Sequence, residues 1–309
     1  MTSNPPVPGS SIILLTGGLG PGFILSSSSL FPSSHGCTPP SLPGPRTSHV
    51  TFTTLSGLVA TCGGQDERGT LTSCLVLEAG GWQQNLRVPD LPQGRYGATS
   101  VTVPGLGVLV MGGYDTAGNT SDLLRNGGSS WEEGPVLPGK GAGGACSVAW
   151  EGSVILVGGV GEWNQVREYS TVTGEWEEES KWPQLGGRGR FYHACGLLHS
   201  HLVVAGGGTG DGTVLDTTVT LDLTLGPGAA WVEGGRLKTP RYGLAMVPLR
   251  DIGKEKLYVL GGEDDRDWLD TVEVWREASR TWQEEEERLP ERRGWMAAGV
   301  VDRVSVCPT

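Results

Sequence analysis

Short apolar runs alternate with turn residues along the chain, and one pattern of this kind returns six times. In its clearest copy the apolar run Ser153–Val157 ends at Gly158-Gly159, and Tyr169 and Trp176 follow. Equivalent pairs begin at Gly17, Gly63, Gly112, Gly206 and Gly261, and the steps between the six pairs are 46, 49, 46, 48 and 55 residues. A period of this length indicates a repeat architecture.

The pattern within each copy predicts four short β-strands with turns between them. Most copies open on arginine, as in Arg46-Thr47-Ser48-His49 and Arg95-Tyr96-Gly97, and an apolar strand leads into the glycine pair. The sixth copy has a longer first hairpin, which explains the step of 55 residues. Glycine reaches positive φ without strain, so each pair indicates a sharp change of chain direction.

The two ends of the chain complement each other. The first copy has a glycine pair but no strand before Ile12, whereas residues 294–301 form an opening strand with no glycine pair after it. A radial array of sheets avoids open edges by joining its last strand to its first. We therefore predict one all-β domain over residues 1–309, with six blades at 294–306 plus 10–45, 46–94, 95–139, 140–189, 190–240 and 241–293.

The repeated glycine pair, followed by an aromatic residue and by a tryptophan about seven residues later, resembles the kelch motif. The resemblance covers nearly the whole chain and implies a six-bladed β-propeller, closed by the C-terminal strand as the innermost strand of the first blade. Three copies depart from the motif: the first lacks the tryptophan, the second has a shortened turn between Leu77 and Trp82, and the fourth has Lys140-Gly141 where others have the opening arginine.

The composition argues against a nucleic-acid-binding protein and against a membrane-spanning one. The net charge of −11 and the pI near 5.0 argue against a nucleic-acid partner, which calls for a basic face. No apolar run is long enough to span a membrane, and residues 1–11 have no signal-peptide pattern. We predict a monomeric propeller and leave its location open between cytoplasmic and extracellular.

The sequence contains no recognisable catalytic constellation. It has no Gly-x-Ser-x-Gly elbow, phosphate-binding loop or His-Glu-x-x-His motif. His199 and His201 lie two residues apart, but no third metal ligand is evident in their copy. We therefore predict a non-enzyme without metal or cofactor, while noting that a sugar isomerase needs only a few polar residues at the mouth of the ring.

The chain has six cysteines, and whether they form disulfides indicates whether the protein works in an oxidising or a reducing compartment. Cys62 and Cys74 flank a predicted hairpin and are candidates for a disulfide, which would imply an oxidising compartment. Cys146 and Cys195 occupy successive inner strands and are predicted to be free buried thiols, and Cys37 and Cys307 have no evident partner. The triplet Asn119-Thr120-Ser121 is a glycosylation sequon in a predicted exposed loop.

In a propeller, the loops that follow the glycine pairs gather on one side, here called the loop face (residues 65–70, 114–122, 160–165, 209–216 and 263–270). Aromatic and arginine residues on exposed loops are typical of binding hot spots. The predicted partner-binding residues are Tyr114, Trp163, Asp264, Arg266 and Trp268. Alternatively, Trp163 and Trp268 only cover the tops of their blades.

Kelch relatives commonly bind a peptide or protein on this face. We therefore expect a non-catalytic interaction module or scaffold with a protein or peptide ligand. The alternatives are a sugar-type isomerase acting in the central opening, and a secreted adhesion or matrix protein.

Overall fold

A computed structural model describes residues 11–33, 37–79, 81–119, 123–126, 128–161, 163–187, 189–251 and 254–307. In these residues six antiparallel sheets radiate from a central channel, and the innermost strands of neighbouring sheets contact each other around the ring. The all-β, six-bladed propeller expected from the repeat is confirmed. Among the described residues, no helix is long and apolar enough to cross a membrane.

Five blades have four strands each, counted outward from the channel. The strands of blade 2 are Val50–Thr53, Val59–Cys62, Cys74–Glu78 and Gly81–Gln83, and those of blade 3 are Thr99–Val103, Gly107–Met111, Leu123–Asn126 and Trp131–Glu133. The strands of blade 4 are Cys146–Trp150, Ser153–Val157, Val166–Ser170 and Glu175–Trp176, and those of blade 5 are Ala194–Leu198, His201–Ala205, Thr218–Asp222 and Val232–Glu233. The strands of blade 6 are Ala245–Asp251, Lys254–Leu260, Val272–Arg276 and Thr281–Glu284. The second strands are almost wholly apolar and buried, because blades pack on both of their faces.

Blade 1 joins the two ends of the chain, as predicted. Its innermost strand Ala297–Asp302 pairs antiparallel with Ser11–Thr16 over six residue pairs, and Ser28–Phe31 lies outside it. The described part of this blade has three strands rather than the expected four. A short helix, Arg303–Val306, follows the closing strand and contacts blade 2.

Short elements decorate the sheets. Three two-stranded hairpins lie after glycine pairs, formed by Leu19–Gly20 with Phe23–Ile24, Gln65–Asp66 with Gly69–Thr70, and Tyr114–Asp115 with Gly118–Asn119. A 3-10 helix, Leu223–Gly228, links the third and outermost strands of blade 5.

Each glycine pair docks its blade onto the next one. A Cβ on Gly158, whose φ is 65°, would lie 2.5 Å from the carbonyl oxygen of Arg190, the residue that opens blade 5. The N–H of Gly159 donates to the same carbonyl oxygen at 3.1 Å. A side chain at the first position would therefore separate the two blades, which explains why glycine recurs there.

Each opening arginine ties together the strands of its own blade. The Arg46 Nη1 donates to the carbonyl oxygens of Gly63 at 3.1 Å and of Ser73 at 3.0 Å, both in blade 2. The same bond to the first glycine of the pair is made by Arg95, Arg190, Arg241 and Arg293. Blade 4 lacks this arginine but buries the guanidinium of Arg167, which comes from its third strand. Although blade 4 has no opening arginine, it therefore still contains a buried cation, Arg167.

Candidate functional site

A closed ring of main-chain hydrogen bonds surrounds the mouth of the channel on the side of the loop face. One residue from each blade contributes, and each N–H donates to the carbonyl oxygen of its counterpart in the preceding blade at 2.7 to 2.8 Å. The six residues are Trp295, Ser48, Gly97, Gly144, Tyr192 and Gly243. All six have positive φ, although three of them are not glycine. Such a conformation is strained for residues with a side chain and often accompanies a functional site.

Aromatic side chains cover this ring. The ring of Tyr192 lies against Gly144, and the indole of Trp295 lies against Gly243. The centroids of these two aromatic rings are 4.4 Å apart. Tyr114 stacks on Tyr96 at 5.2 Å and shares a hydrogen bond with Tyr192. The glycines at the mouth therefore make room for a continuous aromatic surface, here called the mouth cluster (Tyr96, Tyr114, Tyr192, Tyr242 and Trp295).

Three tyrosines of this cluster, Tyr114, Tyr192 and Tyr242, have a raised pKa and are neutral near physiological pH. Burial, and then the neighbouring Tyr114, raises the pKa of Tyr192 well above its ordinary value. Burial and then the Glu263 carboxylate raise the pKa of Tyr242 to about 12. Glu263 also accepts a hydrogen bond from the Trp295 Nε1 at 3.0 Å. The cluster thus offers aromatic faces and neutral hydroxyl groups, with a carboxylate at its edge.

The loop face around the cluster is acidic. Its described residues include ten acidic side chains and two basic ones, Arg68 and Arg266. The acidic residues are Asp66, Glu67, Asp115, Asp211, Asp216, Glu263, Asp264, Asp265, Asp267 and Asp270. Three arginines from the segments between blades pair with Asp216, Asp267 and Asp270, so an excess of negative charge remains on this face.

The predicted site residues lie on this face but contact different neighbours. Tyr114 belongs to the mouth cluster. Trp163 is 37% exposed, with its ring centroid 6.3 Å from that of Phe191. The half-buried Trp268 lies against Gly294 at the junction with blade 1. The Asp264 carboxylate accepts from the main-chain N–H groups of Arg266 and Asp267, so it shapes its own turn, while the Arg266 side chain is exposed.

Four residues of the mouth cluster were not predicted from the sequence. Tyr96, Tyr192, Tyr242 and Trp295 all stand one or two positions after an opening arginine. This recurrence of aromatic residues beside the opening arginines is the sequence signal that marks them. The residues that open each blade reach the same mouth, because the two kinds of loop share one side of a propeller.

The structure pairs all six cysteines. Cys62 and Cys74, directly opposite in neighbouring strands, form the disulfide considered from the sequence, with Cα atoms 4.1 Å apart. The expectation of free thiols at Cys146 and Cys195 is wrong, since they form a second disulfide. Counted from the mouth residues Gly144 and Tyr192, they stand two and three positions along their strands, so they are offset by one position rather than equivalent.

The third disulfide joins Cys37 to Cys307, which had no evident partner in the sequence. It ties the C-terminal segment to blade 1. Among the described residues, no three His, Cys, Asp or Glu side chains are grouped so that they could hold a metal ion. Thr120 and Ser121 of the sequon lie outside the described residues.

Comparison with known proteins places the fold. No protein-family model and no curated protein matches the chain, so membership of the kelch family stays a prediction. Among solved structures, the chain is similar to the one described as "Structure of YjhT", with a TM-score of 0.65 and 16% identity. The match covers 83% of this chain and 88% of that one. At this identity the likeness shows a shared fold.

Proposed function

We propose that the protein is a non-catalytic binding module whose loop face takes up a basic segment of a protein or peptide. The observation that carries the proposal is the acidic loop face around the mouth cluster. Opposite charge steers a partner toward a surface and sets its orientation. Aromatic side chains then supply large contact areas at little entropic cost, as in many binding hot spots.

Two features support a surface role over an enzyme in the central opening. The cavity at the channel mouth has about 120 Å³, well below the roughly 300 Å³ of ordinary small-molecule sites. Tyr192 and Trp295 line that cavity and pack against each other. We expect no turnover when the purified protein is incubated with aldose and ketose sugars. Conversion of one sugar into another, followed by NMR, would instead favour the isomerase.

The loop face can be tested by capture experiments. We expect the variant Trp163→Ala/Asp265→Asn/Glu67→Gln to capture the partner about tenfold less well, because it removes an exposed aromatic ring and two negative charges. All three side chains are exposed, so folding should be unchanged. Partners are recovered from lysate of the source and identified by mass spectrometry, with far-UV circular dichroism as the folding check.

A matched control alters the opposite side. Leu55 and Glu151 are exposed in turns between first and second strands, and Leu55→Ala/Glu151→Gln should retain capture. Capture by the wild type should also weaken as salt is raised, because salt screens exposed charges. Recovery of the same proteins in equal amounts by the loop-face variant would exclude this surface.

We further propose that the protein works in an oxidising compartment, as the adhesion or matrix alternative requires. Three disulfides that use every cysteine are typical of such compartments and rare in the reducing cytosol. Peptide mapping under non-reducing conditions, on protein isolated from its source, should recover the three linked pairs. Free thiols at these positions would contradict the assignment.

A further inference from the structure

A cavity of about 530 Å³ opens in blade 5, away from the channel mouth. Main chain at Gly186 and Gly187 forms one side, and a Cβ added to either glycine would meet open space. Leu215, Val219 and the indole of Trp231 line the other side. Its size lies in the range of small-molecule sites, which run from about 300 to 1,000 Å³.

A buried guanidinium borders this cavity. Arg190 is 7% exposed. Its Nη1 donates to the carbonyl oxygens of Gly206 and Thr217, both at 3.0 Å, and its Nη2 donates to the Thr217 Oγ1 at 3.2 Å. Among the described residues, no carboxylate pairs with it. Glu233 also borders the cavity, but its side chain is exposed and the contacts of Arg190 do not include it.

Blade 6 contains the same arrangement with one addition. Arg241 donates to Gly261 and Thr271 as Arg190 does to Gly206 and Thr217. There the fully buried Glu273 completes the site: its Oε1 accepts from the Arg241 Nη2 at 2.8 Å, and its Oε2 accepts from the main-chain N–H of Lys238 at 2.9 Å. A buried cation is thereby paired with a carboxylate that is itself fully hydrogen-bonded.

The strand register identifies the residue that replaces this carboxylate in blade 5. Glu273 lies opposite Val259, two residues before its glycine pair, and Val219 lies opposite Val204, two residues before Gly206-Gly207. The valine side chain is shorter than that of glutamate and has no acceptor atom, so it cannot pair with the guanidinium. The cavity therefore occupies the place where blade 6 has the Glu273 side chain.

Two other opening arginines have acidic neighbours, although not at the position of Glu273. Arg293 pairs with Glu291, and the carboxylates of Asp66 and Asp90 act on Arg46 through their charge. For Arg190 burial alone lowers the pKa, to about 10, without an opposing acid. It remains a cation at neutral pH, desolvated and open to an anion.

We propose that the blade 5 cavity binds the carboxylate of a small organic acid with an apolar body. One carboxylate oxygen accepts from Arg190, as the Glu273 carboxylate does from Arg241. The second carboxylate oxygen accepts from the main-chain N–H of Gly186. This glycine follows the buried Leu185 in the same way that Lys238, the second donor to Glu273, follows Leu237. The apolar body packs on Trp231 and Leu215. This site borders the loop face, since Leu215 belongs to residues 209–216, but its ligand is a small acid and not a basic segment, so either proposal can fail without the other.

The first test compares acids with their neutral amides. Binding of formate, acetate, benzoate and phenylacetate, and of benzamide and phenylacetamide, is measured by saturation-transfer NMR and by the shift in melting temperature at constant ionic strength. We expect at least one carboxylate to bind and to raise the melting temperature, with its amide binding about tenfold more weakly. Failure of every acid, or equal responses to acid and amide, would overturn the proposal.

Two variants test where the carboxylate binds. Both keep Arg190, because its hydrogen bonds to Gly206 and Thr217 also support the fold. Val219→Glu supplies the carboxylate from within, so the protein should fold and lose binding of the acid. Glu273→Val in blade 6 recreates the unpaired state, and its melting temperature should fall and be restored by formate or acetate but not by formamide. Unchanged binding of the acid by Val219→Glu, or no selective restoration of Glu273→Val, would contradict the assigned site.

Discussion

At the scale of single residues, two buried histidines make the fold sensitive to acid. His49 and His193 each stand three residues after an opening arginine. Burial and then the charge of Arg190 lower the pKa of His193 from 6.5 to about 3. Burial, followed by Arg46 and Arg293, lowers the pKa of His49 well below its ordinary value. Both side chains are therefore neutral in the folded protein and take up a proton only when it unfolds.

This difference predicts a loss of stability below about pH 6.5, where the unfolded chain gains protons that the folded chain does not. For His193 the loss near pH 5 is about 2 kcal/mol relative to neutral pH, and protonation of His49 on unfolding acts in the same direction. Urea unfolding at the two pH values should show a smaller decrease for His193→Gln than for the wild type. The exposed His199 provides the control, and His199→Gln should follow the wild type. An equally steep decrease in His193→Gln would refute this account.

At the scale of structural elements, the segments between blades have a common anchor. Each contains a buried leucine after the outermost strand. The six are Leu42, Leu91, Leu137, Leu185, Leu237 and Leu289. The main-chain N–H of Leu237 donates to the carbonyl oxygen of Asp216, and the Leu237 side chain packs with Trp275 and Trp282. These leucines close the outer end of the wedge between neighbouring blades.

Truncation of one anchor should therefore weaken the whole protein. Leu237→Ala should reduce the free energy of unfolding by about 2 to 5 kcal/mol, since it leaves a cavity among large apolar side chains. Leu86, which is 90% exposed, offers a matched control, and Leu86→Ala should change stability by less than about 0.5 kcal/mol. Denaturant unfolding followed by tryptophan fluorescence measures both. Similar values for the two variants would argue against the anchoring role.

The blade count and the closure were predictable because they depend on local signals. A glycine pair at positive φ, repeated six times, needs no knowledge of distant contacts. The mouth cluster was less predictable, since Tyr114 and Tyr192 meet across 78 residues of sequence. The Cys146–Cys195 disulfide depends on an offset of one position between strands, and the blade 5 cavity on the exchange of Glu273 for Val219. Both become visible only when the strand register is known.

At the scale of the whole molecule, the ring has no free end. The closing strand Ala297–Asp302 completes blade 1, Trp295 completes the hydrogen-bond ring at the mouth, and Cys37–Cys307 lies just beyond both. Open arrays of repeats can unfold from their ends because each unit contacts only its neighbours. A closed propeller must instead break a contact between blades before any blade can leave, so its blades should unfold together.

The Cys37–Cys307 disulfide should add to this closure, since it spans 270 residues. A cross-link over so long a segment restricts the unfolded chain strongly, and Cys37→Ala/Cys307→Ala should lose roughly 2 to 5 kcal/mol of unfolding free energy. The loss is measured by urea unfolding of the oxidised proteins. In a reducing buffer, where the bond is open in the wild type too, the two proteins should converge because only small differences in packing remain. A loss of the same size under both conditions would assign the effect to packing of the two side chains and not to closure of the ring by the disulfide.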